Sequence, residues 1–185
     1  MRRPLSAIPG QISRRNLLKV AAQGAMALTA GPVLAGYWDQ RTISFVHTHT
    51  GEHLTATYFR NGRYDQAALL RVAYTLRDFH CGDVYNIDPM LLDALFDLQV
   101  RIGHDKPYQV ISGYRSPKTN SDLRDHSKNV AEHSLHMKGM AIDIRVEGVS
   151  TKDLNVHARS MLRGGVGYYP NEHFVHVDTG RIRYW

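Results

Sequence analysis

Residues 134–146 read SLHMKGMAIDIRV, and the conformation of this stretch decides what kind of sheet the chain builds. Taken as a strand from Gly139 onward, it puts Met140, Ile142, Ile144 and Val146 on one face and Gly139, Ala141 and Asp143 on the other. The first is a core face. The second carries only small residues and one carboxylate, so it leaves space above the sheet with a single anionic group projecting into it. His136 lies just before the strand, where a loop can bring it over Asp143. A metal site fits this pattern, and so does an ordinary polar loop running into a strand.

A second stretch, EHFVHVDTG at 172–180, supplies a partner. With Val175 and Val177 directed to the core, Phe174, His176 and Asp178 share the open face. Two strands can then present His136, Asp143 and His176 around one point. Two imidazoles and a carboxylate are a plausible set of three protein ligands for a catalytic zinc that keeps one open position. On spacing alone, each histidine can equally be a hydrogen-bonded polar residue. Asp178, on the same face, is suited to orienting a ligand histidine.

Working outward, TISFVHTHTGEHLTATYF at 42–59 alternates as two strands joined at Thr50-Gly51, and Asn61-Gly62 signals a turn. Asp65 caps a helix predicted over 66–80, with Leu69, Val72, Ala73 and Leu76 on one stripe. Asp88 followed by Pro89 opens a second helix to about 103, burying Leu91, Leu95, Leu98 and Ile102 with Leu92 and Phe96 on its flank. YQVIS at 108–112 is a short strand. Ser150 and Asp153 form a capping box for a helix over 151–163, which stops at Gly164-Gly165. Short strands follow near 166–168 and 174–177. The polar stretch 113–133 reads as a functional rim, with a short helix in SPKTNSDLRD at 116–125. Helices grouped early, strands late and no βαβ rhythm predict an α+β fold with a small, mainly antiparallel sheet.

The chain has 185 residues, 43% hydrophobic and 22% charged, ordinary for a folded soluble protein. Its first 35 residues look like an appendage. Arg14-Arg15 and Lys19 precede an apolar run that closes on Val33-Leu34-Ala35, the layout of an export signal, and the run is too short for a permanent membrane span. Ser13-Arg14-Arg15-Asn16-Leu17-Leu18-Lys19 is closely similar to the twin-arginine motif. The expectation is a signal over 1–35, a domain over 36–185, passage through the twin-arginine export machinery to the periplasm, and membrane contact only through an uncleaved signal. Arg2, Arg3, Arg14, Arg15 and Lys19 supply nearly all of the net charge of +6, and no acid lies among them. The pI near 9.5 is thus a property of the signal, which argues against a nucleic-acid partner.

All eleven histidines follow the signal. His47, His49 and His53 read as a polar hairpin, and His80, His104, His126, His133 and His157 lack ligand spacing. Tyr168, Tyr169 and Trp185 fit the lining of a glycan groove and, better, core or rim packing. Cys81 is the single cysteine, so no internal disulfide forms, and it is expected to pack as a small apolar residue.

SGYRS at 112–116, SLHMKGMAID at 134–143, GGVGYYP at 164–170 and FVHVDTG at 174–180 occur in an order that resembles zinc peptidases of the D-Ala-D-Ala peptidase-like group. The nearest likeness is to its exported murein endopeptidases of the K type, and it covers most of the chain after the signal. The resemblance implies zinc on His136, Asp143 and His176, on a small sheet flanked by helices. It implies hydrolysis of stem or cross-link peptides of peptidoglycan, leaving open which bond is cut. It also implies Arg115 as the group that stabilises the developing oxyanion and a general base shortly before the last ligand. His173, three residues back, takes that role if the chain turns at Asn171-Glu172, and Glu172 is the fallback. Ser134 is expected to hold the substrate backbone. The rival reading is a non-catalytic peptidoglycan-binding module that keeps the fold.

Overall fold

The computed structural model describes residues 39–127 and 130–185; the signal expected over 1–35 lies outside them. The described residues form eight strands: β1 (Gln40–His47), β2 (His53–Arg60), β3 (Arg63–Tyr64), β4 (Tyr108–Ser112), β5 (Ala141–Val146), β6 (Gly165–Tyr169), β7 (Phe174–Asp178) and β8 (Arg183–Tyr184). Among the described residues the helices are α1 (Gln66–Thr75), α2 (Pro89–Ile102), α3 (Pro117–His126) and α4 (Thr151–Ser160), with a 3-10 turn at Leu135–Lys138.

All eight strands join one sheet in the order β3-β2-β1-β4-β5-β7-β6-β8. The fold is α+β as expected, but the sheet is mixed rather than mainly antiparallel: β1 runs parallel to β4 and β6 parallel to β8. The first parallel pair arises because α1 and α2 lie between the β1–β2–β3 meander and β4. A connection of that length can return the chain beside β1 in the same direction, which a short turn cannot do.

The caps form where the sequence signals them. Asp65 accepts from the Ala68 N–H and Asp88 from the Met90 N–H, and Ser150 accepts from the Asp153 N–H while donating to its carboxylate. Asn61 and Gly62 both take positive φ in the turn between β2 and β3. Two helix ends come earlier than predicted. Helix α1 stops at Thr75, with Leu76 as its cap, because Leu76–Asp78 is occupied in binding the loop after β4. Helix α4 ends at Ser160, and Leu162 takes a left-handed φ of 55°, so Gly164-Gly165 is not its stop signal.

The core lies on one face of the sheet. Ile142, Ile144 and Val146 of β5, Val175 and Val177 of β7 and Val166 of β6 are buried against Leu154 and Ala158 of α4 and the Leu91–Leu95–Leu98 stripe of α2. Helix α1 packs its Ala68 and Val72 on β2. With the helices taking the apolar face, Ala141, Asp143, Gly165, Gly167, His176 and Asp178 are left on the opposite one.

Candidate metal centre

Asp143 sits directly opposite His176 across β5 and β7, so the two reach the open face side by side. His136 comes from the 3-10 turn rather than from a strand. Ser134 caps that turn, its hydroxyl accepting from the His136 N–H at 3.4 Å. Gly139 ends it at φ 63°, packed so closely on Asn86 that a Cβ would stand 2.1 Å from the Asn86 carbonyl oxygen. The turn is therefore pinned at both ends, and β5 starts at Ala141 rather than at Gly139.

The three side chains converge. His136 Nε2 lies 3.3 Å from Asp143 Oδ1, His176 Nδ1 lies 2.8 Å from the same oxygen, and the two ring nitrogens are 3.2 Å apart. All three residues are buried. Among the described residues they are the one group of three metal-capable side chains whose ligand atoms lie within 4.8 Å of one another. His47, His49 and His53 form no second such group.

The outer nitrogens fix which atoms face inward. A carbonyl can only accept, so His136 Nδ1 donates its proton to Gly113 O at 2.7 Å and leaves Nε2 as the lone pair toward Asp143. His176 Nε2 donates to Asp178 Oδ2 at 3.1 Å, which leaves Nδ1 on the inner side. Asp178, fully buried, also accepts from the Gly165 and Gly180 N–H groups at 3.0 and 2.8 Å and from the Arg183 guanidinium at 3.1 and 2.8 Å.

Electrostatics agree with a cation site. Burial alone pushes the Asp143 carboxyl up, but His136 and His176 outweigh it and hold it well below the usual carboxylate range. Burial alone pushes His176 down, yet the hydrogen bonds to Asp143 and Asp178 raise it to about 9. Burial also lowers His136, partly offset by Asp143. The pocket thus stabilises positive charge between Asp143 and Asp178. Donors about 2.0–2.1 Å from a tetrahedral ion stand roughly 3.3 Å from one another, close to two of the three separations found. Two imidazole nitrogens and one carboxylate, each held from behind by an acceptor or a donor, fit a divalent ion, which would take the place of the proton that His176 Nδ1 shares with Asp143.

The centre lies in a cleft of about 410 Å3, also lined by Arg115, Ser134, Tyr169, Glu172, Phe174 and Trp185. Arg115 is largely buried. Its guanidinium lies 3.8 Å from Asp143 Oδ2 and donates to Asn120 Oδ1 and Ser112 Oγ, each at 3.4 Å. The loop carrying it docks on the end of α1: the Tyr114 N–H donates to Leu76 O at 2.7 Å and the Ser116 N–H to Asp78 Oδ2 at 2.8 Å.

Not every sequence expectation converges here. His173 is exposed, with φ 58°, and is not among the residues lining the cleft, whereas its neighbour Glu172 is. The chain does turn just before β7, over 170–173, so strand alternation does not fix the direction of His173. Cys81 does not pack in the core; it is exposed, with its thiol 3.6 Å from Ser116 Oγ, because it lies in the surface loop between α1 and α2. His133, set aside on spacing, lines the cleft. Sequence reasoning missed Arg183 and the Gly113 carbonyl. Arg183 follows a turn that breaks strand alternation, and a backbone carbonyl leaves no residue-type signal.

Residues 36–185 match the family model described as peptidoglycan L,D-endopeptidase MepK. Over 176 residues the chain is 41% identical to peptidoglycan L,D-endopeptidase MepK of Escherichia coli strain K12, covering 92% of this chain and 97% of that protein. The same values hold for the protein of that name from Shigella flexneri. A protein of Haemophilus influenzae named probable peptidoglycan L,D-endopeptidase MepK is 38% identical over 146 residues, 78% of each chain. With a matched domain that contains every residue of the converging centre, the chain belongs to the M15 peptidase family of peptidoglycan L,D-endopeptidase MepK.

Proposed function

We propose that this chain is a zinc-dependent murein endopeptidase that cuts L,D peptide cross-links of peptidoglycan in the periplasm. The observation that carries the reading is the convergence of His136, Asp143 and His176 at the floor of an open cleft, in a chain whose curated relatives bear that activity in their names. His136 Nε2, Asp143 Oδ1 and His176 Nδ1 would hold the ion, which when bound supplies an acidified water and polarises the scissile carbonyl.

The chain's own residues do the rest. Gly113 O and Asp178 keep the two imidazoles in the required tautomers. Arg115, desolvated and tethered to Ser112 and Asn120, presents a fixed cation where negative charge develops on the carbonyl oxygen. Ser134 lines the cleft beside His136 and is suited to holding the substrate backbone, although its hydroxyl also caps the 3-10 turn. We assign proton transfer to the Glu172–His173 turn. His173 holds the position that the resemblance implies, and Glu172 is the member of the pair that lines the cleft. Loss of hydrolysis in H173A but not in E172Q assigns the proton to His173, and the reverse assigns it to Glu172. The twin-arginine-like residues 13–19 support export, and replacing Arg14 and Arg15 by lysine should keep the protein out of the periplasm.

Digestion of purified sacculi by the zinc-loaded protein, read by mass spectrometry, tests the activity. The expected products come from cleaved bonds between two diaminopimelates. Asp143→Ala should lose both stoichiometric zinc and hydrolysis, and full activity in that variant would refute the site. Sacculus binding without any hydrolysis would favour the non-catalytic module.

A further inference from the structure

The row of residues that carries the ligands does not end at His176. Ser112, Asp143, His176 and Gly167 stand opposite one another across β4, β5, β7 and β6. The parallel ladder of β8 carries the row one step further: Gly165 pairs with Arg183 and Val166 with Tyr184. Trp185 continues it, its N–H donating to Val166 O at 3.3 Å and its carbonyl accepting from the Tyr168 N–H at 2.9 Å. Trp185 therefore lies beside Gly167, and the absent side chain there makes room for the indole. A Cβ on Gly167 would stand 2.7 Å from Trp185 Nε1 and Cε2.

The indole is held in place. Its centroid is 5.3 Å from that of His176, and Nε1 donates to the Tyr169 hydroxyl at 2.7 Å. Tyr169 stacks on Phe174 at 4.5 Å and 16°, and the Arg183 guanidinium lies 4.9 Å from the indole centroid. Yet Trp185 remains 48% exposed and lines the cleft. A preorganised aromatic surface left open beside a metal centre is built to be covered by something apolar.

We infer that Trp185, braced by Tyr169, is the specificity surface for the stem-peptide residue next to the cleaved bond, and that it packs the methylenes of that residue rather than a sugar ring. The inference rests on the peptidoglycan reading above. An extended chain advances about 3.3–3.6 Å per residue, so an indole this close to His176 meets the first residue beyond the scissile amide. In a cross-link between two diamino acids at the third stem position, the sugar is about three residues away, roughly 10 Å, beyond reach of the indole.

The chain has two tryptophans, Trp38 and Trp185, so a Trp38→Phe background leaves Trp185 as the sole tryptophan, read by excitation to the red of the tyrosine band. Titrating this zinc-loaded protein with the tripeptide L-Ala-D-Glu-diaminopimelate should shift its emission saturably, and the disaccharide of N-acetylglucosamine and N-acetylmuramic acid should not. On a cross-linked muropeptide dimer, Trp185→Ala should raise KM about tenfold with kcat within about threefold, and Trp185→Phe should recover most of the loss. The inference is overturned by a saturable shift with the disaccharide alone. It also falls if a protein that cleaves the dimer shows no tripeptide shift, or if folded Trp185→Ala keeps its KM. Should circular dichroism show Trp185→Ala unfolded, the titration and the Trp185→Phe kinetics decide. A protein that neither binds the tripeptide nor cleaves the dimer refutes the peptidoglycan reading itself, and this inference with it.

Discussion

Asp78→Asn tests how the loop that carries Arg115 is held. Asp78 is 1% exposed and lies beyond the end of α1. Burial alone pushes its pKa up, but hydrogen bonds from Thr119 and from the Ser116 and His80 N–H groups outweigh that and hold it down to about 2, against an ordinary 3.8. At ~1.4 kcal/mol per pH unit, the gap contributes about 2 kcal/mol to the folded state. Because the folded value is the lower one, this stability is complete above about pH 4 and is lost as pH falls through about 2. The amide of the variant would keep one acceptor but turn an N–H donor toward other donors, adding ~1–2 kcal/mol of unmet hydrogen bonding. Urea unfolding of the metal-free protein should therefore show the variant less stable by about 3–4 kcal/mol at pH 6, with the difference shrinking by about 2 kcal/mol between pH 4 and pH 2. Wild type carries other depressed carboxylates, Asp143 and Asp178, but they are common to both proteins and cancel in the comparison. A difference that stays flat across that window, or one below ~0.5 kcal/mol at pH 6, would refute the reasoning. The same variant should lose activity, since the Ser116 N–H that Asp78 holds is adjacent to Arg115.

Two further outcomes follow from the centre itself. Arg115→Lys should lower kcat on muropeptide dimers by roughly 10²–10³-fold while zinc content stays stoichiometric, because a lysine cannot reproduce the tethered, planar donor set; atomic absorption and steady-state kinetics check this. Arg183→Gln removes the two charged donors that hold Asp178 behind His176, and chelator competition should report zinc binding weakened roughly 10–100-fold.

The sequence made the strands legible wherever one face is apolar. The alternation Ile142–Ile144–Val146 and Val175–Val177 is enough to orient β5 and β7, and with them Asp143, His176 and Asp178. The helices were legible through their caps, since Asp65, Asp88 and Ser150 each satisfy an N-terminal N–H. Strand direction was not. Whether β4 lies parallel or antiparallel to β1 depends on the path of a connection more than thirty residues long, and nothing local in YQVIS encodes it. The two-residue strands β3 and β8 are too short to show any alternation.

The supporters of the centre were harder to read than its ligands, and glycine shows why. Gly164-Gly165 looks like a helix stop, because glycine usually announces backbone freedom. Here neither residue takes a positive φ. A Cβ on Gly164 would stand 1.9 Å from Asp178 O, and one on Gly165 would stand 2.5 Å from Asp178 Oδ2 and 2.4 Å from Arg183 Nη1. Gly167 makes the same allowance for Trp185. Gly164 lets the backbone of Asp178 approach, and Gly165 and Gly167 are glycine so that the side chains of Asp178, Arg183 and Trp185 can occupy the space above them. That requirement arises from cross-strand register, between residues as far apart as Gly165 and Arg183, and the alternation within one strand carries no trace of it. A ligand is written as a residue type at a strand position, whereas the space that lets its supporters reach it is written as missing atoms on a neighbouring strand.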